Sequence, residues 1–391
     1  MKKTNTSKKA PDFDNTAIAF KHLSKAELWN AYMLFKSIGS NTLVAAGPKL
    51  VRFSLFLRLP IKGILRATIF KHFCGGETIQ ECRPIMEKMS KDGVGSILDY
   101  SVEGEKSEQS FDAACEEIIQ TIQFGEKNRA TISIPFCVFK VSALCESSIL
   151  EKKSLSQTLG PSEERAWELA EGRVQKICKN ADACSQRLFF DAEETWIQPA
   201  IDSLALKMMR QFNSKRCIIF NTVQMYRNDR LPYLQNILSS ESVFLGFKVV
   251  RGAYMEKERA RSIERQYPCP IHETKVDTDR DFDAAVKLLY EHRNRVSFCA
   301  GTHNEISTQK LTELMLQDGK SQNVFFAQLL GMSDNLTYNL VAAGFQAAKY
   351  VPYGPVEKTL PYLFRRAEEN TSVEGQSSRE LGLIQKELKR R

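Results

Sequence analysis

The pattern of apolar and polar positions changes character near residue 94 of the chain. After that point, short apolar words rich in β-branched and aromatic residues alternate with longer segments in which apolar residues recur every three or four positions. The first pattern predicts buried strands and the second predicts amphipathic helices. The eight strand words are VGSILDYSV, TISIPFCVFK, RLFFDAE, CIIFNTVQMY, GFKVVRGAY, VSFCAGTHN, NVFFAQLLGM and FQAAKYVPYG.

Strands that alternate with helices form parallel βαβ units, and eight such units predict an α/β fold of the (β/α)₈ barrel type. The helical segments between the strand words include FDAACEEIIQTIQFGEKN, EERAWELAEGRVQKICKN, DRDFDAAVKLLYEHR and ISTQKLTELMLQ. An open, doubly wound sheet is the alternative. No GxGxxG or GxxxxGK[ST] motif follows a strand word, so the phosphate-binding turns of that alternative are missing.

Helical spacing dominates the chain ahead of the first strand word, in FKHLSKAELWNAYMLFKSI and GETIQECRPIMEKMSK. Between these segments lies LVRFSLFLRLPIKGILRATIFKHF, which is both apolar and basic. It is either a helix pair that packs on the main domain or an amphipathic surface for lipid headgroups. We therefore predict an N-terminal helical region at residues 1–90, a barrel at 91–372 and a C-terminal tail at 373–391.

Composition narrows the class of protein. The chain has 391 residues, and no run of uncharged apolar residues approaches the roughly 20 that are needed to span a bilayer. The net charge of +8 is moderate and comes from scattered basic residues, which argues against a nucleic-acid partner. The ten cysteines form no CxxC pair and lie in apolar stretches, as buried free thiols do. The N-terminus lacks the apolar core of a secretory signal, so we expect a cytoplasmic protein, with peripheral contact at the inner membrane as a further option.

Function in a barrel of this kind collects where strands end and βα loops begin. The residues at these positions are Glu103, Lys140, Asp191, Gln224, Arg251, Gly252, Ala253, Tyr254, Thr302, His303, Asn304, Met332 and 350–353. Lys140 and Asp191 stand as single charges in apolar surroundings. Because burial of an unpaired charge is costly, we expect each of them to have a partner or a ligand.

The alternation of side chains along a strand sharpens this prediction. In CIIFNTVQMY, the face that holds Thr222 and Gln224 becomes polar toward the end of the strand word. In FKVVRGAY, Lys248 and Gly252 share a face, and the glycine would let the backbone approach a flat ligand. An amide, a lysine, a glycine and the Thr–His pair of AGTHN suit a large cofactor with polar edges.

Other chemistries are less well supported. His303 has no second histidine or cysteine at ligand spacing, so we expect no metal site and assign it a hydrogen-bonding role. No GxSxG motif exposes a serine nucleophile. A pair of carboxylates, Glu103 and Asp191, would suit a glycosidase on paper. The cations at the rim favour an anionic substrate instead, and Lys140, Arg365 and Arg366 together suit a carboxylate.

The segment YLFRRAEEN, residues 362–370, admits two interpretations. Its tyrosine, two arginines and second glutamate recur at helical spacing and share one face. Taken alone, such a face is typical of a solvated helix with weak arginine–glutamate pairs. Because the segment follows the eighth strand word, it can also form a lid over the barrel mouth, with Arg365 and Arg366 recognising a carboxylate.

Several words, in order from residue 94 to residue 370, resemble the proline dehydrogenase family: FKVSAL, FFDAEE, NTVQMY, KVVRGAYMEKERAR, AGTHN, QLLGMSD and YVPYGPVEKTLPYLFRRAEEN. The words GVGSILDYSVEG and FCGGET extend the resemblance toward its single-function bacterial and mitochondrial branch. The resemblance implies a distorted (β/α)₈ barrel with a final helix over its mouth and FAD at the C-terminal ends of the strands. It implies oxidation of L-proline to Δ1-pyrroline-5-carboxylate, with electrons passed to a membrane quinone.

The resemblance also implies roles for individual residues. Arg365, Arg366 and Lys140 would hold the substrate carboxylate, and Glu103 would pair with Arg365 as a gate. The residues that would wall the proline ring are Tyr254, Leu329, Tyr350 and Tyr362. Asp191 would be an active-site hydrogen-bonding residue, and Lys248 would lie at the flavin ring edge. The other implied FAD contacts are Ala192, Gln224, Arg251, Gly252, Ala253, Thr302 and His303, with Thr274, Lys275 and Thr278 less clearly aligned.

Three further expectations follow from the resemblance. No aldehyde dehydrogenase domain follows the barrel, so a separate pyrroline-5-carboxylate dehydrogenase would complete the oxidation to glutamate. Hydroxyproline dehydrogenase is the alternative enzyme, which Tyr350 disfavours because its bulk would crowd a 4-hydroxyl group. A flavoprotein that binds proline without oxidising it is the alternative outside the enzymes.

Overall fold

The computed structural model describes residues 10–38, 62–101, 107–319, 321–372 and 376–391. The strands are β1 (Gly95–Tyr100), β2 (Phe136–Phe139), β3 (Arg187–Phe190), β4 (Ile219–Gln224), β5 (Leu245–Val250), β6 (Val296–Gly301), β7 (Val324–Leu329) and β8 (Ala347–Tyr353). Each strand coincides with one predicted strand word, and β5 starts one residue before its word. β2 covers only the end of TISIPFCVFK, because Pro135 has no N–H to donate to a neighbouring strand.

The helices are α1 (Thr16–Ala19), α2 (Lys25–Ile38), α3 (Lys62–Leu65), α4 (Lys71–Phe73), α5 (Ile79–Lys91), α6 (Glu108–Lys127), α7 (Ser147–Ser154), α8 (Pro161–Ala183), α9 (Gln198–Phe212), α10 (Arg230–Ser240), α11 (Met255–Arg265), α12 (Lys275–Glu291), α13 (Glu305–Asp318), α14 (Asp334–Ala342), α15 (Val356–Ser372) and α16 (Gln376–Arg390). A π-helical turn at Arg66–Phe70 joins α3 to α4. Side-chain caps begin several helices, because the first backbone N–H groups of a helix lack intrahelical acceptors. Ser107, Thr274 and Asn304, for example, each accept a hydrogen bond from the N–H three residues later.

The eight strands close in sequence order, β1 to β8, into a parallel barrel with helices between the strands. The prediction of a (β/α)₈-type barrel is therefore confirmed. The short apolar words became strands because both faces of a parallel barrel strand are buried, one by the interior and one by the helices. The position of the final helix over the mouth stays a prediction.

Aromatic rings fill the interior beside the first residues of several strands. The ring of Phe136 stacks on that of Phe189 with centroids 4.2 Å apart, and it meets Phe220 and Phe325 edge to face at 5.1 and 4.8 Å. All four side chains are at most 4% exposed. Because side chains alternate along a strand, these phenylalanines identify which residues further along β2, β3 and β4 also face the interior.

Two compact units divide the chain: a central unit, residues 104–327, and a terminal unit, residues 1–103 with 328–391. In the terminal unit, α16 packs on the N-terminal helices, and Leu383 and Ile384 form one buried cluster with Phe20, Leu28 and Phe35. The segment treated from sequence as a tail thus contains a helix with a buried face. Among the described residues, no helix is both long and apolar enough to cross a membrane.

Candidate active site

A row of polar side chains crosses the ends of neighbouring strands in the central unit. Phe139 of β2 pairs with Phe190 of β3, so the next residues, Lys140 and Asp191, lie side by side. The backbone at Lys140 is still extended (φ −102°, ψ 138°), and the Asp191 N–H donates to the Phe139 carbonyl at 2.9 Å. By alternation from Phe136 and Phe189, both side chains face the barrel interior. Two of the charged strand-end residues named from the sequence therefore lie next to each other.

Lys248 extends this row to β5. Its Cα partner on β4 is Thr222, which lies one residue beyond the Asn221 that pairs with Phe190. Lys248 is only 4% exposed, and its ammonium group forms an ion pair with the Asp191 carboxylate. The same ammonium lies 5.1 Å from the centre of the Phe189 ring. A buried cation is therefore held at the base of the site by one carboxylate and one aromatic face.

Gln224 ties three loops together at the end of β4. Its Nε2 donates to the Glu193 carbonyl at 2.8 Å, and its Oε1 accepts from the Ala253 N–H at 3.2 Å. Ala192, which lies between Asp191 and Glu193, is buried beside this junction in the sequence. A carboxamide can donate two hydrogen bonds and accept two, so Gln224 keeps capacity for a ligand.

Gly252 has a positive φ of +136°, a conformation that side chains rarely adopt. A Cβ atom at this position would lie 2.5 Å from the Tyr226 ring. The sequence pattern predicts a ligand that approaches the backbone at this glycine. The structure supplies a nearer reason, because the Tyr226 ring already occupies the space that a side chain would need.

Arg251 organises a polar cluster at the ends of β5 and β6. Its guanidinium donates to Asp279 Oδ1 at 2.6 Å, to Thr302 Oγ1 at 2.6 Å and to Ser307 Oγ at 2.9 Å. The Phe282 ring lies 4.4 Å from the guanidinium carbon. Burial alone would raise the pKa of Asp279, but hydrogen bonds from Lys275 and Arg251 lower it below its ordinary value.

The turn that carries Thr302 and His303 leads directly into α13. The Thr302 hydroxyl accepts from the Asn304 N–H at 3.0 Å, and the Asn304 side chain accepts from the Ser307 N–H at 2.9 Å. Thr302, predicted from sequence to be a cofactor contact, therefore lies between the Arg251 guanidinium and the start of a helix. That combination is typical of anion binding.

The 274–278 segment also has a defined structure. Thr274 caps α12 by accepting from the Asp277 N–H at 3.2 Å, and Lys275 pairs with Asp279 at 2.5 Å. Thr278 Oγ1 donates to the Thr274 carbonyl at 3.4 Å. Lys275 thus joins the Arg251 cluster through their shared carboxylate, whereas the other two residues serve the start of the helix.

Sequence reasoning missed several residues that hold this rim. Glu193 is 4% exposed, and its carboxylate accepts from the Ser142 N–H at 3.0 Å and from the Ser142 hydroxyl. Glu258 on α11 is fully buried and accepts from the Thr195 N–H at 2.7 Å and its hydroxyl at 2.5 Å. Glu193 could have been found as a second acid on the Asp191 side of the strand. Glu258 has only its place in an amphipathic helix, which does not show that it is buried.

Tyr254 lies at the start of α11 in the central unit. It is 9% exposed, and the Lys257 ammonium lies 5.5 Å from its ring centre. Its position directly after Gly252 and Ala253 keeps it at the β5 end of the site.

In the terminal unit, α15 carries the arginine pair on a buried face. Tyr362 is 7% exposed and Arg366 is 6% exposed, with the Arg366 guanidinium 5.1 Å from the Tyr362 ring centre. Arg365 is partly exposed. The interpretation as a fully solvated helix is wrong at Tyr362 and Arg366, since a stacked, buried arginine does not belong to a solvent-facing surface.

Leu329 and Tyr362 share one apolar cluster of the terminal unit with Phe73, Leu360 and Leu363. The structure thus brings together two of the four predicted wall residues.

Tyr350 lies within β8 and is 8% exposed, and its carbonyl accepts from the Leu330 N–H at 2.9 Å. Glu103, the predicted gate, lies outside the described residues. Within the described residues, no group of three or more histidine, cysteine, aspartate or glutamate side chains could hold a metal ion.

Comparison with known proteins connects this geometry to a family. A sequence model of the proline dehydrogenase family matches residues 82–379. The carbapenem antibiotics biosynthesis protein CarD of Pectobacterium carotovorum subsp. carotovorum is 35% identical over 84% of this chain and 86% of its own length. The mitochondrial proline dehydrogenase 1 of Dictyostelium discoideum is 32% identical over 94% of this chain and 73% of its own length.

A solved structure supports the fold. Proline utilization A from Bdellovibrio bacteriovorus, inactivated by N-propargylglycine, superposes with a TM-score of 0.72 and 18% identity over 93% of this chain. The chain corresponds to only 38% of the length of that protein. Because the family match extends over most of the chain, including the strands that carry the polar row, the chain belongs to the proline dehydrogenase family of oxidoreductases.

Proposed function

We propose that the protein oxidises L-proline to Δ1-pyrroline-5-carboxylate with the help of a bound FAD, as the first step of proline catabolism to glutamate. The observation that carries the proposal is the row of interior charges formed by Lys140, Asp191 and Lys248 in a member of this family. Burial of these charges lowers the stability of the fold, because each charge has to be desolvated. Clusters of this kind are therefore common at functional sites.

The substrate carboxylate is held by Lys140, Arg365 and Arg366. These roles rest on the family resemblance and on the need of a carboxylate for cationic partners. Arg366 is buried against Tyr362, so its guanidinium has already lost most of its contact with water. An arginine that is desolvated in advance loses less hydration when it binds a carboxylate, which it can hold with bidentate geometry.

The ring of the substrate is walled by Tyr254, Leu329, Tyr350 and Tyr362. These side chains are buried or partly buried and mostly aromatic. An apolar wall excludes water and orients the ring carbon beside nitrogen for transfer of a hydride. Glu103 is proposed to close the site as a gate by pairing with Arg365.

The residues present fit FAD. Lys248 and Gln224 offer a cation and an amide for the polar edge of a flavin ring, and Arg251 with Thr302 offers donors for phosphates beside the start of α13. Ala192, Gly252, Ala253 and His303 complete the set. When bound, FAD supplies the acceptor for the hydride that leaves the substrate.

Asp191 and Lys248 act together in the reaction. Their ion pair fixes the Lys248 ammonium group within the row of polar side chains at the strand ends. A cation that is already fixed can stabilise negative charge that develops beside it, and the protein does not have to rearrange. Asp191 in turn is oriented by Lys248 toward the site.

The proposed partners follow from the chemistry. Electrons would leave to a membrane quinone through peripheral contact of the protein with the inner membrane, and a separate pyrroline-5-carboxylate dehydrogenase would consume the product. No nucleic-acid partner is proposed.

Anaerobic addition of L-proline to the purified, FAD-loaded protein tests the proposal directly. We expect the oxidised flavin absorbance to bleach within the dead time of manual mixing, with formation of one pyrroline-5-carboxylate per flavin. Binding of proline without bleaching would contradict the enzymatic function and favour a sensor.

A comparison of kcat/KM for L-proline and trans-4-hydroxy-L-proline tests the substrate. We expect proline to be preferred, because the bulky, buried side chain of Tyr350 on β8 would crowd a 4-hydroxyl group. A higher kcat/KM for hydroxyproline would identify the protein as a hydroxyproline dehydrogenase.

A further inference from the structure

In the central unit, the backbone N–H, the backbone carbonyl and the carboxylate of Glu193 all form hydrogen bonds. Its N–H donates to Gln198 Oε1 at 2.8 Å, and its carbonyl accepts from Gln224 Nε2 at 2.8 Å. Its carboxylate accepts two hydrogen bonds from Ser142. The side chain is 4% exposed, so it is a rigid acceptor inside the protein. None of the steps described above assigns it a role.

The target of this carboxylate is the turn after β2. Val141–Ala143 form a 3₁₀ turn that begins directly after Lys140, and the Lys140 carbonyl accepts from the Ala143 N–H at 3.2 Å. Ser142, at the middle of this turn, is held by both its N–H and its hydroxyl. The conformation of the chain that leaves Lys140 is therefore set by Glu193.

The charge of Glu193 is also coupled to Lys140. Burial raises the pKa of Glu193 to about 7, and the charge of Lys140, together with the Ser142 hydrogen bonds, opposes that rise. The adjacent Glu194 reinforces the rise, and it is itself paired with Lys257 at 2.7 Å. From α9, Gln198 faces Glu193 and donates to Asp202 at 2.8 Å, which is paired with Arg230.

We propose that Glu193 is a positioning residue, which fixes through Ser142 the turn that carries Lys140 and so sets where the substrate carboxylate is held. The inference rests on the proposed function, because it assumes that the substrate is a small amino acid, such as proline, and that Lys140 binds its carboxylate. Glu193 does not touch the reacting atoms in this role. It acts through the backbone on the cation that does.

Steady-state kinetics of the FAD-loaded protein with L-proline test this role in Glu193→Gln and Ser142→Ala. We expect Glu193→Gln to raise KM about 10-fold and Ser142→Ala about 3- to 10-fold, with kcat changed less than about 2-fold, since each weakens a charge-assisted hydrogen bond. The double variant should be no worse than Glu193→Gln alone, because both changes break the same contact. Glu116→Gln, which removes an exposed carboxylate paired with Lys176, is the matched control and should keep the parent KM.

A pair of inhibitors separates positioning from general damage. Cyclopentanecarboxylate carries the charge that Lys140 recognises, and its neutral amide does not. We expect both variants to raise the inhibition constant of the acid about as much as KM while that of the amide stays constant. Equal losses for acid and amide, or an unchanged KM in both variants, would overturn the positioning role. Ser142→Ala keeps the test valid if Glu193→Gln fails to fold.

The wild-type protein distinguishes the two levels of the argument. If it neither oxidises L-proline nor binds cyclopentanecarboxylate, the proposed function fails. If it oxidises L-proline while both variants behave as wild type, only the role of Glu193 fails.

Discussion

Arg366 is a charged side chain that packing has buried. It is 6% exposed, and its recorded aromatic neighbour is Tyr362, from whose ring centre the guanidinium lies 5.1 Å away. Burial removes water from a cation and makes each hydrogen bond to an anion count for more. The helical spacing of YLFRRAEEN predicts the shared face of these residues, but only packing decides that the face is buried.

Substitution of Arg366 or Arg365 by methionine tests the carboxylate clamp. We expect KM for L-proline to rise about 10- to 100-fold in each variant, because a charge-assisted contact contributes about 1.5–3 kcal/mol. Arg280→Met is the control, since Arg280 is 64% exposed and pairs with nearby aspartates of α12. Parent-like KM values in both clamp variants would remove these arginines from the substrate site.

Lys349 is a second buried cation, and it serves the fold. It is 1% exposed, pairs with Asp334 at 2.7 Å and donates to the carbonyls of Leu329 and Met332. Burial alone would raise the pKa of Asp334, but the charge of Lys349 and a hydrogen bond from His22 hold it well below its ordinary value. The sequence word FQAAKYVPYG contains this lysine without any sign of its partner.

We predict that Lys349→Met lowers the free energy of unfolding by about 3–5 kcal/mol, because it leaves the Asp334 carboxylate buried without its main counter-charge. Urea denaturation measures this change. Lys310→Met, which removes an exposed lysine paired with Asp283, should cost less than about 1 kcal/mol. The double variant Lys349→Met/Asp334→Asn should be more stable than Lys349→Met, because it no longer buries an unpaired carboxylate. The pairing would be contradicted if Asp334→Asn lowered the free energy of unfolding as much in the Lys349→Met protein as in the wild type.

Helix α16 shows at the element scale that the chain beyond the last barrel helix belongs to the packed structure. Leu383 and Ile384 are buried in one cluster with residues of α1 and α2. Glu380, on the same helix, accepts from the Ser333 N–H at 3.1 Å. The amphipathic spacing of SSRELGLIQKEL is visible in the sequence, whereas the surface that it covers is contributed by residues more than 300 positions earlier.

Ile384→Ala tests whether α16 contributes to stability. We expect the free energy of unfolding to fall by about 2–5 kcal/mol, the usual cost of removing a large buried aliphatic side chain. Ile263→Ala, at a position that is 78% exposed on α11, is the matched control and should change stability by less than about 0.5 kcal/mol. Equal stability of the two variants would show that α16 is not docked in solution.

The strand ends show the same division at the level of elements. Side chains alternate along each strand, and the register between β2, β3, β4 and β5 brings Lys140, Asp191 and Lys248 to one level. The parity comes from the local geometry of a strand, so sequence reveals it. The register depends on how neighbouring strands slide, which no local pattern records.

At the scale of the whole molecule, two buried carboxyl groups make stability depend on pH near neutrality. Burial is the main cause that raises the pKa of Glu193 and the pKa of Glu380 to about 7, well above the value of an exposed glutamate. Between about pH 4.5 and 7 the folded protein therefore binds protons that the unfolded chain has released. Because the folded state binds more protons in this range, its stability falls as the pH rises.

We predict that the melting temperature of the wild-type protein decreases from about pH 5.5 to pH 8, and that the Glu193→Gln and Glu380→Gln variants each flatten this decrease. Asp229 acts in the opposite direction at acid pH. Burial alone would raise the pKa of Asp229, but hydrogen bonds from Arg230 and Arg227 hold it at about 2. The contribution of Asp229 to stability is therefore lost only as the pH falls below about 4. Thermal unfolding followed by circular dichroism across pH 2–8 measures both limbs, and a melting temperature that rises from pH 5.5 to 8 in parent and variants alike would contradict the assignment.

The order of strands and helices, the barrel class and the residues at the strand ends can all be predicted from the sequence. These features arise from periodicities of two and 3.6 residues and from short words, all of which are local. The tertiary structure decided which charges meet: Lys248 with Asp191, Arg251 with Asp279 and Ser307, and Glu193 with Ser142. Their partners lie 28 to 57 positions apart in the chain. Only the closure of the barrel, which brings distant loops to one rim, selects these pairs among the many that charge alone would allow.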